Sequence, residues 1–559
     1  MLSAKRLEKG RWQSQSHFVV FWLLCVATVA SACSRSATPP RAAGEAAKGS
    51  TASSAPKAAS PSKQPVPQPV DPRESLAPQA AGSQLRRPLP AAAQATQESW
   101  FAYYLNEAKV GHAVMRSYSL EGDDGERLLR HEMQQQLSFL RAGQRVEQRL
   151  LLQSLETPAG VVRELRSVVR DNSSEIEMIA TPQGKTLHVI LRTADSSSLQ
   201  TLPWEEDYRG FFADEQLLRE EPPQPGQVRS ATMFLPVLHL VGRLTLSIQD
   251  WEPVSTLFGR EKLLRVESLF RHSQFESQAT LWCDAEGSIH VYQMPNLKLT
   301  AYRTLKETAL AANEAVDLLE IYQVRVSQPI PNPHGCRKAV YRARVTGHGN
   351  PERLFVQDAS QQVDPLDPQT VLITVRRIRP DDPGELAGSV PSPAAPDLAA
   401  NSLIQADHPL IRQLAEQVAP ADEEPWKWVQ ACESFVHGYI QRKSLDNTFA
   451  SALEVAQQRS GDCTEHAVLM AALCRAHGVP ARVATGLVAI QDSYAFHMWN
   501  EVWVGDRWVP VDATLAQGGI GVGHIKLTVS SLEGVSPFAA MAPVLELISR
   551  LELEVVSYE

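Results

Sequence analysis

Arg459-Ser460-Gly461-Asp462-Cys463-Thr464-Glu465-His466-Ala467 runs directly into Val468-Leu469-Met470-Ala471-Ala472-Leu473-Cys474. The apolar run is continuous enough for a buried helix that ends near His477-Gly478, with Gly478 as the natural stop. Gly461-Asp462 would form the turn that starts it, so Cys463 falls in the first helical turn. A thiol of ordinary pKa about 8.5 drops to roughly 3.5–7.5 at a helix amino terminus or beside a histidinium, because both favour the thiolate. Cys463 is therefore a candidate nucleophile. Cys474 lies deep in the apolar run and Cys432 on the apolar face of an upstream helix, so both read as core.

A nucleophile needs a base, and the base needs a partner that orients it. Phe496-His497-Met498-Trp499-Asn500-Glu501-Val502-Trp503-Val504 reads as a strand, Gly505-Asp506 as a two-residue turn, and Arg507-Trp508-Val509-Pro510-Val511-Asp512 as the return strand. In that register Trp499 faces Asp512 and His497 faces Thr514. His497 and Asp512 then become diagonal neighbours on one face, roughly 7–8 Å apart at the backbone and within reach of a side-chain hydrogen bond. A slip of one residue would place them on opposite faces. This is the geometry of a Cys-His-Asp triad, in which the carboxylate orients the imidazole and the imidazole takes the thiol proton.

Two kinds of element must position these groups. After a Pro/Ala-rich boundary at 390–400 the apolar period becomes helical, and Val429, Cys432, Val436 and Tyr439/Ile440 mark an amphipathic helix that begins after Pro425. Before that boundary the chain reads as β-rich. His131, Met133, Gln135, Leu137 and Phe139 alternate with the two-residue period of a half-covered strand, Ala142-Gly143 turns the chain, and similar units recur at 161–169, 187–191, 263–270 and 289–294. Long strands joined by short turns predict an antiparallel meander or half-barrel, because a parallel sheet would need crossover helices. A smaller β unit is expected over 321–378. Cys283 and Cys336 fall in these regions, and an oxidising compartment would allow them to pair.

Four blocks in order resemble the transglutaminase-like superfamily: Gly461-Asp462-Cys463-Thr464-Glu465-His466-Ala467, Ala481-Arg482-Val483-Ala484-Thr485-Gly486, His497-Met498-Trp499-Asn500-Glu501-Val502, and Trp508-Val509-Pro510-Val511-Asp512-Ala513-Thr514. The resemblance covers roughly 400–530. It implies a papain-like core in which a cysteine begins a helix while histidine and aspartate come from adjacent strands. By that resemblance Cys463 is the nucleophile, His497 the general base and acid, and Asp512 its orienting partner. All three positions carry the family's catalytic residue types.

Other readings compete within this segment. Cys463-x-x-His466 could suggest a metal site, but no second ligand pair has suitable spacing, so neither metal nor cofactor is expected. His437 and His477 read as helix-surface or core residues, and Glu501 as support for the strands. Trp499, Trp503 and Trp508 could wall a substrate groove or simply pack. The Cys463 backbone N–H is a candidate oxyanion donor.

The 559 residues carry 43% hydrophobic residues and a net charge of −9. The composition excludes collagen-like, coiled-coil and disulfide-knot proteins, and an acidic chain is no general nucleic-acid binder. The amino terminus reads as an export signal over 1–32. Lys5, Arg6, Lys9 and Arg11 precede an apolar core from Phe18 to Ala30, and Ala30-Ser31-Ala32 supplies small residues for cleavage. Ala30-Ser31-Ala32-Cys33 resembles a bacterial lipoprotein box, although Ala30 stands where leucine is usual. It implies a lipid on Cys33 and a membrane-anchored protein of the cell envelope, with simple secretion and a retained signal anchor as alternatives. Residues 33–97 read as a disordered tether, since 27 of residues 34–97 are Ala or Pro. Its basic residues and those of the leader leave residues 98–559 at −17.

The expected organisation is thus α+β: an antiparallel β-rich domain over 98–320, a smaller β unit and linker over 321–390, a transglutaminase-like (papain-like) catalytic domain over 398–535, and a C-terminal helix over 536–559. The expected activity is thioester-based acyl transfer from peptide or isopeptide amides of a peptide or protein substrate, ending in hydrolysis. Transfer to an amine and a non-catalytic envelope binding module are the alternatives.

Overall fold

The structure is a computed structural model. It describes residues 82–559 apart from 91–92, 123–124, 173, 194–196, 274, 348, 383–390, 419–423, 444–448, 535 and 537. The expected leader, Cys33 and most of the expected tether lie outside the described residues. Among the described residues no helix is long and apolar enough to cross a membrane.

Fourteen antiparallel strands form one sheet. β1 to β8 (Gln97–Leu105, Ala108–Glu121, Arg127–Arg141, Gln144–Glu156, Val162–Arg170, Glu175–Gln183, Thr186–Arg192, Ser197–Pro203) pair in sequence order. After helix α1 (Ala213–Arg219), β9 to β14 (Val228–Leu235, Leu240–Thr256, Gly259–His272, Phe275–Cys283, Ile289–Met294, Leu299–Thr304) do the same. The two meanders join where β1 pairs β14, from Trp100↔Thr304 to Leu105↔Leu299. The β-rich region is therefore an antiparallel meander, as its two-residue apolar period requires. Phe101, Tyr103, Leu137, Phe139, Leu150, Leu152, Leu244, Leu246 and Phe270 belong to one buried cluster.

Short helices α2 (Lys306–Ala309) and α3 (Leu318–Tyr322) lead out of the sheet, and the next elements interleave with the carboxyl-terminal half. β15 (Val324–Arg325) pairs with the hairpin that follows the helices below, whereas β16 (Lys338–Val345), β17 (Gln361–Asp367) and β18 (Thr370–Arg376) build a separate sheet. That sheet is completed by β25 (Leu551–Tyr558), which pairs with β16. Between them come helices α4 (Pro409–Gln417), α5 (Pro425–Tyr439), α6 (Ala452–Gln458) and α7 (Cys463–Ala476). A two-residue parallel pair, β19 (Arg442–Lys443) with β20 (Ser460–Gly461), closes the entry to α7. β21 (Ala481–Ile490), β22 (Ser493–Val504), β23 (Arg507–Val511) and β24 (His524–Ser530) follow, and α8 (Ala542–Leu547) precedes β25.

Two expectations need correction, and the pairing of Cys283 with Cys336, left open by the sequence, is answered. The C-terminal helix expected over 536–559 is confined to a short 3-10 turn at Ala539–Met541 and to α8, and the chain ends as a strand. Leu551, Leu553 and Val555 are buried while Glu552, Glu554 and Val556 are exposed, a two-residue period that the edge of β16 converts into pairing. The disordered tether does not extend to residue 97. Gln84 N donates to Glu164 at 2.9 Å, Ser83 Oγ donates to the same carboxylate, Arg86 pairs with Glu177, and Leu85 is buried against Leu128 and Leu155. One apolar side chain, the Arg86–Glu177 ion pair and two hydrogen bonds to Glu164 hold this stretch to the sheet in spite of its Pro-rich composition. Finally, Cys283 and Cys336 are not bridged. Cys283 is buried in the main sheet, where burial pushes its thiol up to about 12, and Cys336 is half-buried in the loop before β16.

Candidate active site

β20 delivers the chain to Asp462, the N-cap of α7. Asp462 Oδ1 accepts from Thr464 N at 2.9 Å and Glu465 Oε2 accepts from Asp462 N at 2.9 Å, a reciprocal capping box. Glu465 Oε1 also accepts from Ala450 N at 3.0 Å, tying the turn to the segment before α6. A Cβ on Gly461 would lie 2.2 Å from Glu465 Cβ, so the box closes only over a glycine. Burial, reinforced by the charge of Asp462, pushes the Glu465 carboxyl well above its usual range. Cys463 is the first helical residue and is fully buried.

α7 packs along β21 and β22 and is fixed at both ends. Asn500 Nδ2 on β22 donates to Ala467 O at 2.9 Å, one turn after Cys463. Arg475 in the last turn donates to Ala481 O at 2.8 and 3.0 Å, and to Ala399 O at 2.8 Å.

β22 and β23 form the expected hairpin in the expected register, from Asn500↔Val511 to Val504↔Arg507. Gly505 and Asp506 both have φ of 61°, the left-handed pair that a tight two-residue hairpin turn demands. The register carries Asp512 to His497, whose Nε2 lies 2.7 Å from Asp512 Oδ2, and both side chains are at most 1% exposed. A carboxylate can only accept, so Nε2 carries a hydrogen and Nδ1 is the atom of His497 left to gain or lose a proton. Burial opposes the charge on Asp512. The His497 charge and the N–H donors of His497 and His524 outweigh it and hold the carboxyl well below its usual range.

Two further groups meet Asp512. His524, the first residue of β24, places Nε2 3.0 Å from the same Oδ2. Glu433 on α5 accepts from Asp512 N at 3.0 Å and from Gly519 N at 3.1 Å. Burial, with Asp512 nearby, pushes the Glu433 carboxyl up to about 7 against the pull of those N–H donors. His497, Asp512 and His524 also offer three ligand-type atoms within 4.8 Å of one another, the arrangement among the described residues that could hold a metal ion. Two N–H donors converging on one carboxylate oxygen account for that closeness without a cation.

Residues 412–513 match the model of the transglutaminase-like superfamily. The segment is a transglutaminase-like domain. The matched span holds Cys463, His497 and Asp512. No curated protein matches the chain in sequence. Among solved structures, the chain is similar to a "putative cysteine protease" from Cytophaga hutchinsonii at 17% identity, covering 40% of this chain and 92% of that one, with a TM-score of 0.28. It is also similar to a β-barrel-like protein from Brucella abortus at 10% identity, covering 37% and 94%, with a TM-score of 0.27. A third likeness, to a "putative protease" from Parabacteroides distasonis, has 12% identity, covers 70% and 64%, and scores 0.17. All three likenesses are weak.

Within the transglutaminase-like domain the other weighed residues have structural partners. His466 donates from Nδ1 to Asp462 O, a bond within its own helix, and lies outside the carboxylate cluster. His437 Nδ1 lies 3.1 Å from both Ala513 O and Thr514 O, pinning the chain just after Asp512, and His477 stacks on Trp428. Trp503 and Trp508 pack edge to face on the hairpin with Arg482 over Trp508, while Trp499 stacks on His497 and meets His524 edge-on. Glu501 pairs with Arg482 and with the buried Lys526. The sequence alone does not single out Glu433 or His524, because their partners lie on other elements. The acidic residue on the apolar face of α5, beside Cys432, was the one local signal.

Proposed function

We propose that the chain is an exported cysteine-dependent acyl-transfer enzyme that hydrolyses peptide or isopeptide amides through a thioester on Cys463. The observation that carries this reading is the 2.7 Å His497–Asp512 contact, on the hairpin against which the Cys463 helix is packed. In the proposed cycle His497 Nδ1 takes the Cys463 proton and Sγ attacks the amide carbonyl. Collapse of the tetrahedral adduct breaks the C–N bond as His497 returns the proton to the leaving amine. Water then gives a proton to His497, adds to the thioester, and expels the Cys463 thiolate with release of a carboxylate. Asp512 keeps the imidazole in its Nε2–H form and stabilises the imidazolium. The Cys463 backbone N–H, at the positive end of α7, is the proposed oxyanion donor.

Transfer of the acyl group to an amine shares every step up to the thioester, so the two outcomes separate only in the second half. Turnover of peptide substrates in ¹⁸O water with an excess of a fluorescent primary amine distinguishes them. Hydrolysis puts ¹⁸O into the product carboxylate, whereas dominant incorporation of the amine would make the enzyme a transglutaminase. Unchanged turnover in Cys463→Ala would sink the triad assignment, whereas neither activity in the wild-type protein, with slow and equal alkylation of Cys463, Cys432 and Cys474, would leave a binding module.

The −17 charge of residues 98–559 supports a basic peptide or protein as substrate, since such a partner is drawn in at low ionic strength. Turnover of a Lys-rich peptide is then expected to fall as salt rises, and insensitivity to salt would oppose that preference. Export and a lipid on Cys33 are part of the same proposal, supported by the leader's composition. Mass spectrometry of the mature amino terminus tests them, because an unmodified Cys33 or a retained Met1 would contradict lipidation.

A further inference from the structure

The His524 side chain is 1% exposed and shares one oxygen of Asp512 with His497, at 3.0 and 2.7 Å. The groups that face it are Asp512 beyond β23, His497 and Trp499 on β22, and His334 in the loop between β15 and β16. Lys526, two residues along the same strand, is committed to Glu501 and Asp358. Facing a carboxylate, the Nε2 of His524 must carry a hydrogen, and its Nδ1 is buried without a hydrogen-bond partner. Burial pushes its pKa down to about 4, against the pull of Asp512, so the ring is neutral near pH 7.

Resting on the triad reading above, we propose that His524 is a positioning residue: its neutral Nε2–H holds the Asp512 carboxylate in the rotamer that meets His497 and shares the charge on Oδ2. A charge divided between two donors stabilises the His497 imidazolium less than an undivided one would. His524 thereby keeps His497 from becoming too strong a base to return its proton to the leaving amine. Trp499 packs against both imidazoles, with ring centroids 6.1 Å from His497 and 5.0 Å from His524, and so fixes their approach to the oxygen.

The test is an NMR titration of ¹⁵N-histidine-labelled protein, with the His497 signal identified by its loss in His497→Gln. His524→Phe, which keeps an aromatic ring but has no N–H, is expected to raise the His497 midpoint by about half a pH unit or more. His524→Gln, whose amide can reach the same oxygen, is expected to restore the wild-type midpoint. Should His524→Phe not fold, His524→Asn, too short to make the bond, is measured instead with the same expectation. An unmoved His497 midpoint in the donor-free variant, or a rise that His524→Gln fails to reverse, overturns the proposal. The triad reading fails separately: Cys463→Ala would leave the His497 midpoint unchanged, showing that thiol and imidazole are not coupled, whatever His524 does.

Discussion

Arg141 on β3 donates from Nη2 to Oδ2 of Asp462 at 3.2 Å, although 321 residues separate them in the chain. The side chains are 1% and 5% exposed. The end of a hairpin from the large sheet is thus pressed onto the N-cap of the helix that begins with Cys463. That hairpin is itself held, since Ala142 N and Gly143 N donate to the Asp317 carboxylate at 3.1 and 2.7 Å. The sheet is part of what positions Cys463.

Removing one partner of a buried ion pair strands the other charge. Arg141→Met is expected to lower stability by about 3 kcal/mol in urea denaturation. The double variant Arg141→Met/Asp462→Asn should recover part of the loss, because asparagine still caps a helix and leaves no buried charge. A loss in the double variant equal to the sum of the two single losses would show that the pair is not coupled.

Glu433 gives a pH signature. Its folded pKa of about 7 lies above its ordinary value of 4.5, so the folded state binds the extra proton between those limits. Its contribution is fully present below about pH 4.5 and is lost as pH rises through 7. Glu433→Gln keeps an oxygen for Asp512 N and Gly519 N and removes the ionisation. It should be more stable than wild type at pH 8, by about 1–3 kcal/mol, with the difference shrinking toward pH 5. Denaturation midpoints at the two pH values test this, and an equal difference at both would contradict it.

Acid should act through histidines held neutral. His239 in the turn between β9 and β10 and His466 and His524 in the transglutaminase-like domain are each pushed by burial to about 4 from 6.5. The unfolded chain therefore takes up protons first as pH falls from 6.5, and stability declines toward pH 4 by several kcal/mol. His466→Gln is expected to flatten that decline, and an unchanged pH dependence would remove His466 from the account.

Asn500 is the tie between β22 and α7. Asn500→Ala leaves the buried Ala467 carbonyl without this donor and should cost about 1–3 kcal/mol. It should also lower kcat with the Cys463 residue intact, and normal activity with reduced stability would limit Asn500 to packing.

The site was legible in the chain because its signals are local. Asp462-Cys463 followed by an apolar run defines a capped buried helix. Gly505-Asp506 fixes the hairpin register and so brings His497 to Asp512. What escaped is held by distant partners. Arg141 and His524 acquire meaning only against Asp462 and Asp512, and Leu85 only against Leu128 and Leu155. Leu551-Glu552-Leu553-Glu554-Val555 shows a two-residue period, yet leucine and glutamate favour helix, and the edge that overrides this preference lies on β16. The break at Asn106-Glu107, which divides the long apolar stretch after Trp100 into β1 and β2, depends on left-handed residues at φ 48° and 73° that carry no glycine.

The central claim is a covalent acyl-enzyme on Cys463. Acid-quenched intact-mass analysis of the full chain, incubated with a mixture of Lys-rich and glutamine-containing peptides, measures it directly. The account predicts a peptide adduct that digestion maps to Cys463, absent in Cys463→Ala and in His497→Gln. An adduct on another residue, or peptide turnover that persists in Cys463→Ala, would contradict it.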